Sequence, residues 1–302
     1  MVEDTEEMAH RFQGLDSWGT ADVLESLWSG QSRAVAACLA VLPGLSAAVD
    51  GAVERLARTD GRLVYAGAGS SGVLAALDAL ELGPTFDWPT ARTVTLFAGG
   101  LDLTRGFDAA AEDDAASGAE RAREARLGPG DVVVGVSASG HSAFTVGVVS
   151  EARGRDALTV AVACRPDSPL GRTAAHSLVV PTGAEVIAGS TRLGAGTAQK
   201  VVLNLFSSAV MTRLGHVFDN LMVDVRPENA KLRQRCVAMV ARLANVDGER
   251  AAEALAHHGS VKRAVLRLGG WDDGRVDAAL ARAGGNLRRA MTWLRQAGEG
   301  ER

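Results

Sequence analysis

Cysteine is scarce in these 302 residues: Cys38, Cys164 and Cys236 are odd in number and far apart. That spacing excludes a disulfide framework and the close thiolate pairs of a structural zinc site, leaving three small apolar side chains suited to a reducing compartment. Long basic runs are missing too. With a formal net charge of -4 and a pI near 5.9, the chain lacks the electrostatic footprint of a nucleic-acid binder. The longest apolar run, Ala34 to Val49, contains Pro43 and falls short of the roughly 20 residues that a membrane span needs. The amino terminus, MVEDTEEMAH, is acidic where a secretory leader is basic and then apolar. These absences predict a cytoplasmic protein with neither membrane nor nucleic acid as partner.

Cofactor signatures are equally thin. The histidines make no triad or metal pattern, since His141 lies in a serine-rich loop and His257 and His258 in the C-terminal part. Neither of two glycine- and serine-rich turns carries a P-loop lysine, which argues against nucleoside triphosphates. A nicotinamide dinucleotide would need an acid for its ribose after the second strand, but TVTLFAGG ends in Gly99 and Gly100. No metal and no cofactor are expected.

What is present is ordinary for a folded protein, 47% hydrophobic and 23% charged residues, and long enough for one α/β domain with an appendage. Up to about residue 59 the apolar positions recur three and four apart, a helical spacing. Five short runs rich in valine and leucine follow, RLVYAGAG, TVTLFAGG, DVVVGVSASG, ALTVAVAC and SLVVPTG, separated by helix-like stretches. This alternation predicts a doubly wound, mostly parallel five-stranded sheet. After VRPENAK the chain reads as helix. EALAHHGSVKRAVLRL and AALARAGGNLRRAMTWL share a helix, a glycine break and a basic helix, as a duplicated hairpin would. The expected parts are an N-terminal helical segment 1–52, a sheet domain 53–226 and a C-terminal helical module 227–302 that caps the sheet domain or helps dimerisation.

Candidate binding residues cluster where strands end. Gly67 to Gly72 follows a strand and opens a helix, so the N–H groups around Gly69 and the hydroxyls of Ser70 and Ser71 converge on one point with the helix dipole. VSASGHS repeats the arrangement with Ser137, Ser139 and Ser142. Two such turns suit a phosphate on a compact polar body such as a sugar. A third polar segment, GAEVIAGSTRLGAGTAQK, brings Glu185, Ser190, Thr191 and Lys200 to another strand-to-helix passage. Ser190 or Thr191 would cap the helix that follows.

Two carboxylates stand out as proton carriers. The helix from Ser71 carries Leu74, Leu77 and Leu80 as its apolar side and meets Gly83 and Pro84 as terminators. Glu81 is therefore expected in its last turn, where the macrodipole disfavours an anion and raises the pKa. Glu112, in AAEDDAAS, has Asp113 and Asp114 beside it, like charges that favour the protonated state. About ten helical residues at 1.5 Å each hold Glu81 roughly 15 Å from its own phosphate turn. A sugar phosphate does not reach that far, so Glu81 is expected to serve a partner's site in a homodimer.

Taken together, GRLVYAGAGSSG, LDALELGPTF, AGG followed by AEDD, DVVVGVSASG, PDSPL, EVIAGSTRLGAGTAQK and LMVDV resemble the N-acetylmuramic acid 6-phosphate etherases, a bacterial branch of the sugar isomerase (SIS) domain proteins. The resemblance runs in order from about Val53. It implies cofactor-independent cleavage of the D-lactyl ether to give N-acetylglucosamine 6-phosphate and D-lactate, in cell-wall amino sugar recycling. It also implies that Glu81 and Glu112 are the catalytic pair. Departures flank them: Leu80, Leu82 and Gly83 stand where the family commonly has a serine before the acid and Cys-Pro after it, and Ser70 replaces a threonine. Other readings are a sugar-phosphate sensor of the glucokinase regulatory protein type and a sugar-phosphate aldose-ketose isomerase.

Overall fold

A computed structural model describes residues 5–299 apart from 59, 101, 103 and 105. Helices α1 (Thr20–Ala37) and α2 (Leu42–Arg58) are followed by β1 (Leu63–Gly67), α3 (Gly69–Phe86), β2 (Thr93–Phe97), the short α4 (Ala109–Glu112) and α5 (Ala115–Glu124). Then come β3 (Val132–Val136), α6 (Ala143–Gly154), β4 (Leu158–Ala163), α7 (Pro169–Thr173), β5 (His176–Val179) and α8 (Gly194–Leu214). Helices α9 (Ala230–Ala244), α10 (Gly248–His258), α11 (Val261–Leu268), α12 (Asp273–Arg282) and α13 (Leu287–Glu299) complete the chain.

The five strands are all parallel in the order β2-β1-β3-β4-β5. Every residue of β1, β3 and β4 is buried, which is why these runs read as continuous valine and leucine rather than alternating. One face packs Val64, Ala66, Val133 and Ala161 against Ala122 of α5, Phe144, Val148 and Val149 of α6 and Leu170 of α7. On the other face the Tyr65 hydroxyl meets Asp78 of α3 at 2.8 Å, and Ser207 of α8 donates to the same carboxylate at 3.1 Å. The N-terminal ends of β1 and β3 are clasped by Asp131. Its carboxylate accepts from Arg62 N at 2.9 Å, Arg62 Nε at 3.0 Å and Gly128 N at 3.0 Å, with an Arg62 ion pair at 2.7 Å.

By compactness, Met1–Leu80 with Ala91–Ser207 forms one unit, and Glu81–Thr90 with Ser208–Arg302 forms another. The second has its own core, including Cys236, Met239, Val240, Leu255, Leu266, Val276, Leu287 and Leu294. Asn229 caps α9 through its side chain, and Gly259 and Gly284–Gly285 are the left-handed breaks of two helical hairpins, as the duplicated pattern predicts. Inside it, Asp224 Oδ2 accepts from the buried Lys262 Nζ at 2.5 Å and lies 2.8 Å from His216 Nδ1.

Three expectations change. Gly83 and Pro84 do not end α3, which continues to Phe86 with Pro84 inside it. Its end is set by Asp87 in a left-handed conformation (φ 53°), whose N–H donates to the Gly83 carbonyl at 2.9 Å. The apolar side also differs: Ala75, Ala76, Ala79 and Leu82 are buried, whereas Leu77 and Leu80 are 41% and 71% exposed. Helical structure over Thr20–Arg58 is long and apolar enough to cross a membrane by length and composition, more than the apolar run alone predicts. A 3-10 turn at Cys38–Val41 interrupts it, and α2 buries Leu45, Ala48, Val49, Ala52 and Leu56, the one-sided burial of a core helix.

Candidate active site

Strand order reverses between β1 and β3, and the two strands end level, with Gly67 paired to Val136. In open parallel sheets this crevice beyond the carboxyl ends is where ligands bind. Both serine turns start there. The first is tight because it lacks side chains: a β-carbon on Gly67 would stand 2.7 Å from Gly72 Cα, and one on Gly72 would stand 2.6 Å from the Phe97 ring and 2.8 Å from the Gly67 carbonyl carbon. Gly69, at φ +52°, then turns the chain into α3. Ser70 and Ser71 are partly exposed in the first helical turn, where unpaired N–H groups and the dipole favour an anion.

The second turn is built by its own hydroxyls. Ser137 Oγ accepts from Gly140 N at 3.1 Å and Ser139 Oγ accepts from His141 N at 3.1 Å, leaving each hydroxyl proton available for a ligand. A β-carbon on Gly140 would come 2.3 Å from Ser168 Oγ, so the turn closes over that side chain. Ser142 is buried, and its hydroxyl caps α6 at Thr145 N (3.4 Å) and pairs with Thr145 Oγ1 (2.9 Å).

In the third segment the helix-capping expectation is corrected. The α8 N–H groups of Gly194 and Ala195 donate to the buried Glu185 carboxylate at 2.9 and 2.8 Å, because a carboxylate is a stronger acceptor for helix N-terminal donors than a hydroxyl. Ser190 and Thr191 contribute backbone carbonyls instead, to Leu193 N at 3.0 Å and Gly196 N at 2.8 Å. The first two turns of α8 reach both serine turns: Ala195 packs with Ala138 and Cys164, and Gln199 Oε1 accepts from Ser71 Oγ at 3.0 Å.

Of the two acids, Glu112 lies at this crevice. Asp108 caps the short α4 by accepting from Ala110 N (3.0 Å) and Ala111 N (3.4 Å), and this turn directs Glu112 at the first serine turn. A β-carbon on Gly69 would stand 4.0 Å from Glu112 Oε2. Burial raises the Glu112 pKa above the ordinary carboxylate value, and the Asp113 charge adds to it. The direction agrees with the sequence, but the leading cause is desolvation, and Asp114 is engaged elsewhere as the cap of α5, accepting from Ser117 N at 2.8 Å. Glu81 is exposed. Five further residues of α3 follow it, so Glu81 stands before the final turn, to which the action of the helix dipole is confined.

Sequence reasoning passed over Gln199 and the network beneath it. Asp78 is buried and shared by Tyr65, Ser207 and, at 3.9 Å, Lys200. Burial, with Asp78 alongside, pushes the Tyr65 phenol well above its usual pKa, so Tyr65 donates. The visible signal was an aspartate within LAALDALEL, a helix otherwise apolar up to Glu81; a buried acid in such a stretch needs partners.

The SIS domain family model matches residues 114–209. An N-acetylmuramic acid 6-phosphate etherase of Deinococcus radiodurans is 43% identical over 98% of this chain and 96% of its own length. Its counterparts in Rubrobacter xylanophilus and Streptomyces coelicolor are each 44% identical over 95% of this chain and 93% of theirs. Among solved structures, a Bacteroides fragilis protein described as a phosphosugar isomerase involved in capsule formation superposes with a TM-score of 0.51 at 24% identity. It covers 65% of this chain and 91% of that one, a likeness of fold.

Proposed function

The chain belongs to the N-acetylmuramic acid 6-phosphate etherase family, and from that premise we propose how its residues divide the reaction. The enzyme cleaves the D-lactyl ether of N-acetylmuramic acid 6-phosphate with water, giving N-acetylglucosamine 6-phosphate and D-lactate in cell-wall amino sugar recycling. The phosphate is gripped by Gly69, Ser70 and Ser71 of the first turn and Ser137 and Ser139 of the second, with Ser190 at the rim. Ser142 and Glu185 act one step back, holding the N-termini of α6 and α8. Anchoring the phosphate fixes an open sugar chain so that C2 and C3 meet the acids in one geometry.

In the open form the C1 aldehyde acidifies the C2 proton, and Glu112 removes it as general base. The C3–O bond to lactate breaks as Glu81 protonates the departing ether oxygen. Water then adds at C3 of the unsaturated aldehyde and C2 regains a proton, so atoms balance without a redox partner. The raised pKa of Glu112 suits a base, because proton affinity nearer the working pH strengthens proton abstraction. The observation that carries this assignment is the Glu112 carboxylate beside Gly69 in the anion-binding turn.

Glu81 serves the site of a second copy in a homodimer. It is exposed, and the flanking Leu77 and Leu80 form an apolar patch of the kind that subunit contacts cover. On this reading residues 53–226 carry the chemistry, with the helical segment 1–52 before them and the helical module 227–302 after them in sequence. The site of action is the cytoplasm, in keeping with three buried free thiols.

Turnover of N-acetylmuramic acid 6-phosphate in heavy-oxygen water tests the reaction: D-lactate must appear and the label must enter at C3 of the sugar. Sugar binding without lactate release would assign the protein to the sensors instead. Mixing Glu81→Gln with Glu112→Gln protein tests the shared site. Activity should return in verified heterodimers, and its absence there would return Glu81 to its own subunit.

A further inference from the structure

Gln199 lies on α8 against the first turn of α3 and is only 1% exposed. Its Oε1 accepts the Ser71 hydroxyl proton at 3.0 Å, while Nε2 has no partner among the described residues. A buried polar group without a partner costs free energy, and in either orientation the amide leaves one end unpaired. Half a turn of the amide exchanges the two ends, so that Nε2 donates to Ser71 Oγ. A serine hydroxyl has a single proton. Once Gln199 donates to the oxygen, that proton is released to the crevice, where the helix N-terminus already favours an anion.

We propose that Gln199 is a positioning residue that rotates on ligand entry and commits the Ser71 hydroxyl to donate to the phosphate monoester of the sugar. The inference rests on reading the serine turns as the phosphate site. In the ligand-free state the proton is parked on Oε1, and the bound dianion draws it away. The same step pairs Nε2 and leaves Oε1 in the position that Nε2 held, so the pull of the anion on the Ser71 proton drives the rotation. Selection for a phosphorylated over an unphosphorylated sugar is thereby strengthened, because only the anion draws the proton off Oε1.

The test measures binding of N-acetylglucosamine 6-phosphate and of N-acetylglucosamine by calorimetry to the full chain and its variants. Gln199→Glu can only accept, so it keeps the Ser71 proton, and phosphate-sugar affinity is expected to fall about tenfold or more. With Ser71→Ala already present, the same change should cost less than about threefold, the non-additivity of a coupled pair. Gln199→Met neither donates nor accepts and should give a smaller loss of phosphate-sugar affinity than Gln199→Glu. Equal losses in both Ser71 backgrounds would mean simple charge repulsion and would overturn the inference. So would a drop in melting temperature with unchanged affinity. If the wild type binds the sugar phosphate yet releases no D-lactate, the etherase reading fails and the coupling still decides the inference. If it binds no sugar phosphate, both fall.

Discussion

Replacing Asp131 by alanine should destabilise the sheet unit while leaving the chemistry alone. The carboxylate holds two backbone N–H groups, Arg62 N and Gly128 N, and the Arg62 guanidinium. The guanidinium keeps the Ala125 carbonyl at 2.9 Å and that of Arg126 at 3.1 Å, so the main loss is two orphaned N–H groups of about 1–3 kcal/mol each. A net cost of about 3 kcal/mol is expected, at the low end for breaking a buried pair, and corresponds to about 6–12 °C in melting temperature for a unit of this size. Asp131 resists desolvation, which alone would raise its pKa. Arg62 and the two N–H donors outweigh that and hold it below the ordinary aspartate value of 3.8. A depressed carboxylate stabilises the fold above its unfolded pKa, and that contribution is lost as pH falls through the folded pKa. Melting curves of wild type and Asp131→Ala should therefore differ fully at neutral pH and converge in strong acid, below 3.8. Because this clasp sits at the N-terminal strand ends, KM should stay unchanged. A shift under about 2 °C at pH 7, or a gap that persists in strong acid, would refute the account.

Glu112→Gln should lower D-lactate formation by about 10²–10⁴-fold with little change in sugar-phosphate affinity. In the wild type the acid limb of kcat/KM should lie above the ordinary glutamate value of 4.5, as the raised Glu112 requires, and activity should rise as pH climbs through it. A limb at or below that value counts against Glu112 as base. Gly72→Ala places a methyl 2.6 Å from the Phe97 ring and 2.8 Å from Gly67 backbone. It is expected to cost about 1–3 kcal/mol by overpacking and to raise KM by displacing Ser70 and Ser71. Normal KM with normal stability would show that the first turn tolerates side chains.

Much of the fold was legible because its signals are local. Five valine-rich runs between helical stretches specify a parallel sheet, and Asn229, Gly259 and Gly284–Gly285 punctuate the tail as their chemistry dictates. Helix ends were less legible. Pro84 reads as a stop, but the left-handed Asp87 ends α3, where Phe86 and Trp88 pack edge-on against His216, more than a hundred residues away. Leu77 and Leu80 read as core for the same reason: spacing marks an apolar stripe without saying what covers it.

By itself, the order of residues determined that two glycine-serine turns follow parallel strands and that acids stand at 81 and 112, because turn chemistry and strand patterning act over a few neighbours. Tertiary structure alone decided that the turns flank one reversal of strand order, that Glu112 leans over the first of them, and that Glu185 caps α8 and Gln199 touches Ser71. Those relations join residues from 9 to 128 positions apart. Burial and hydrogen bonding across such separations exist only once the layers have packed.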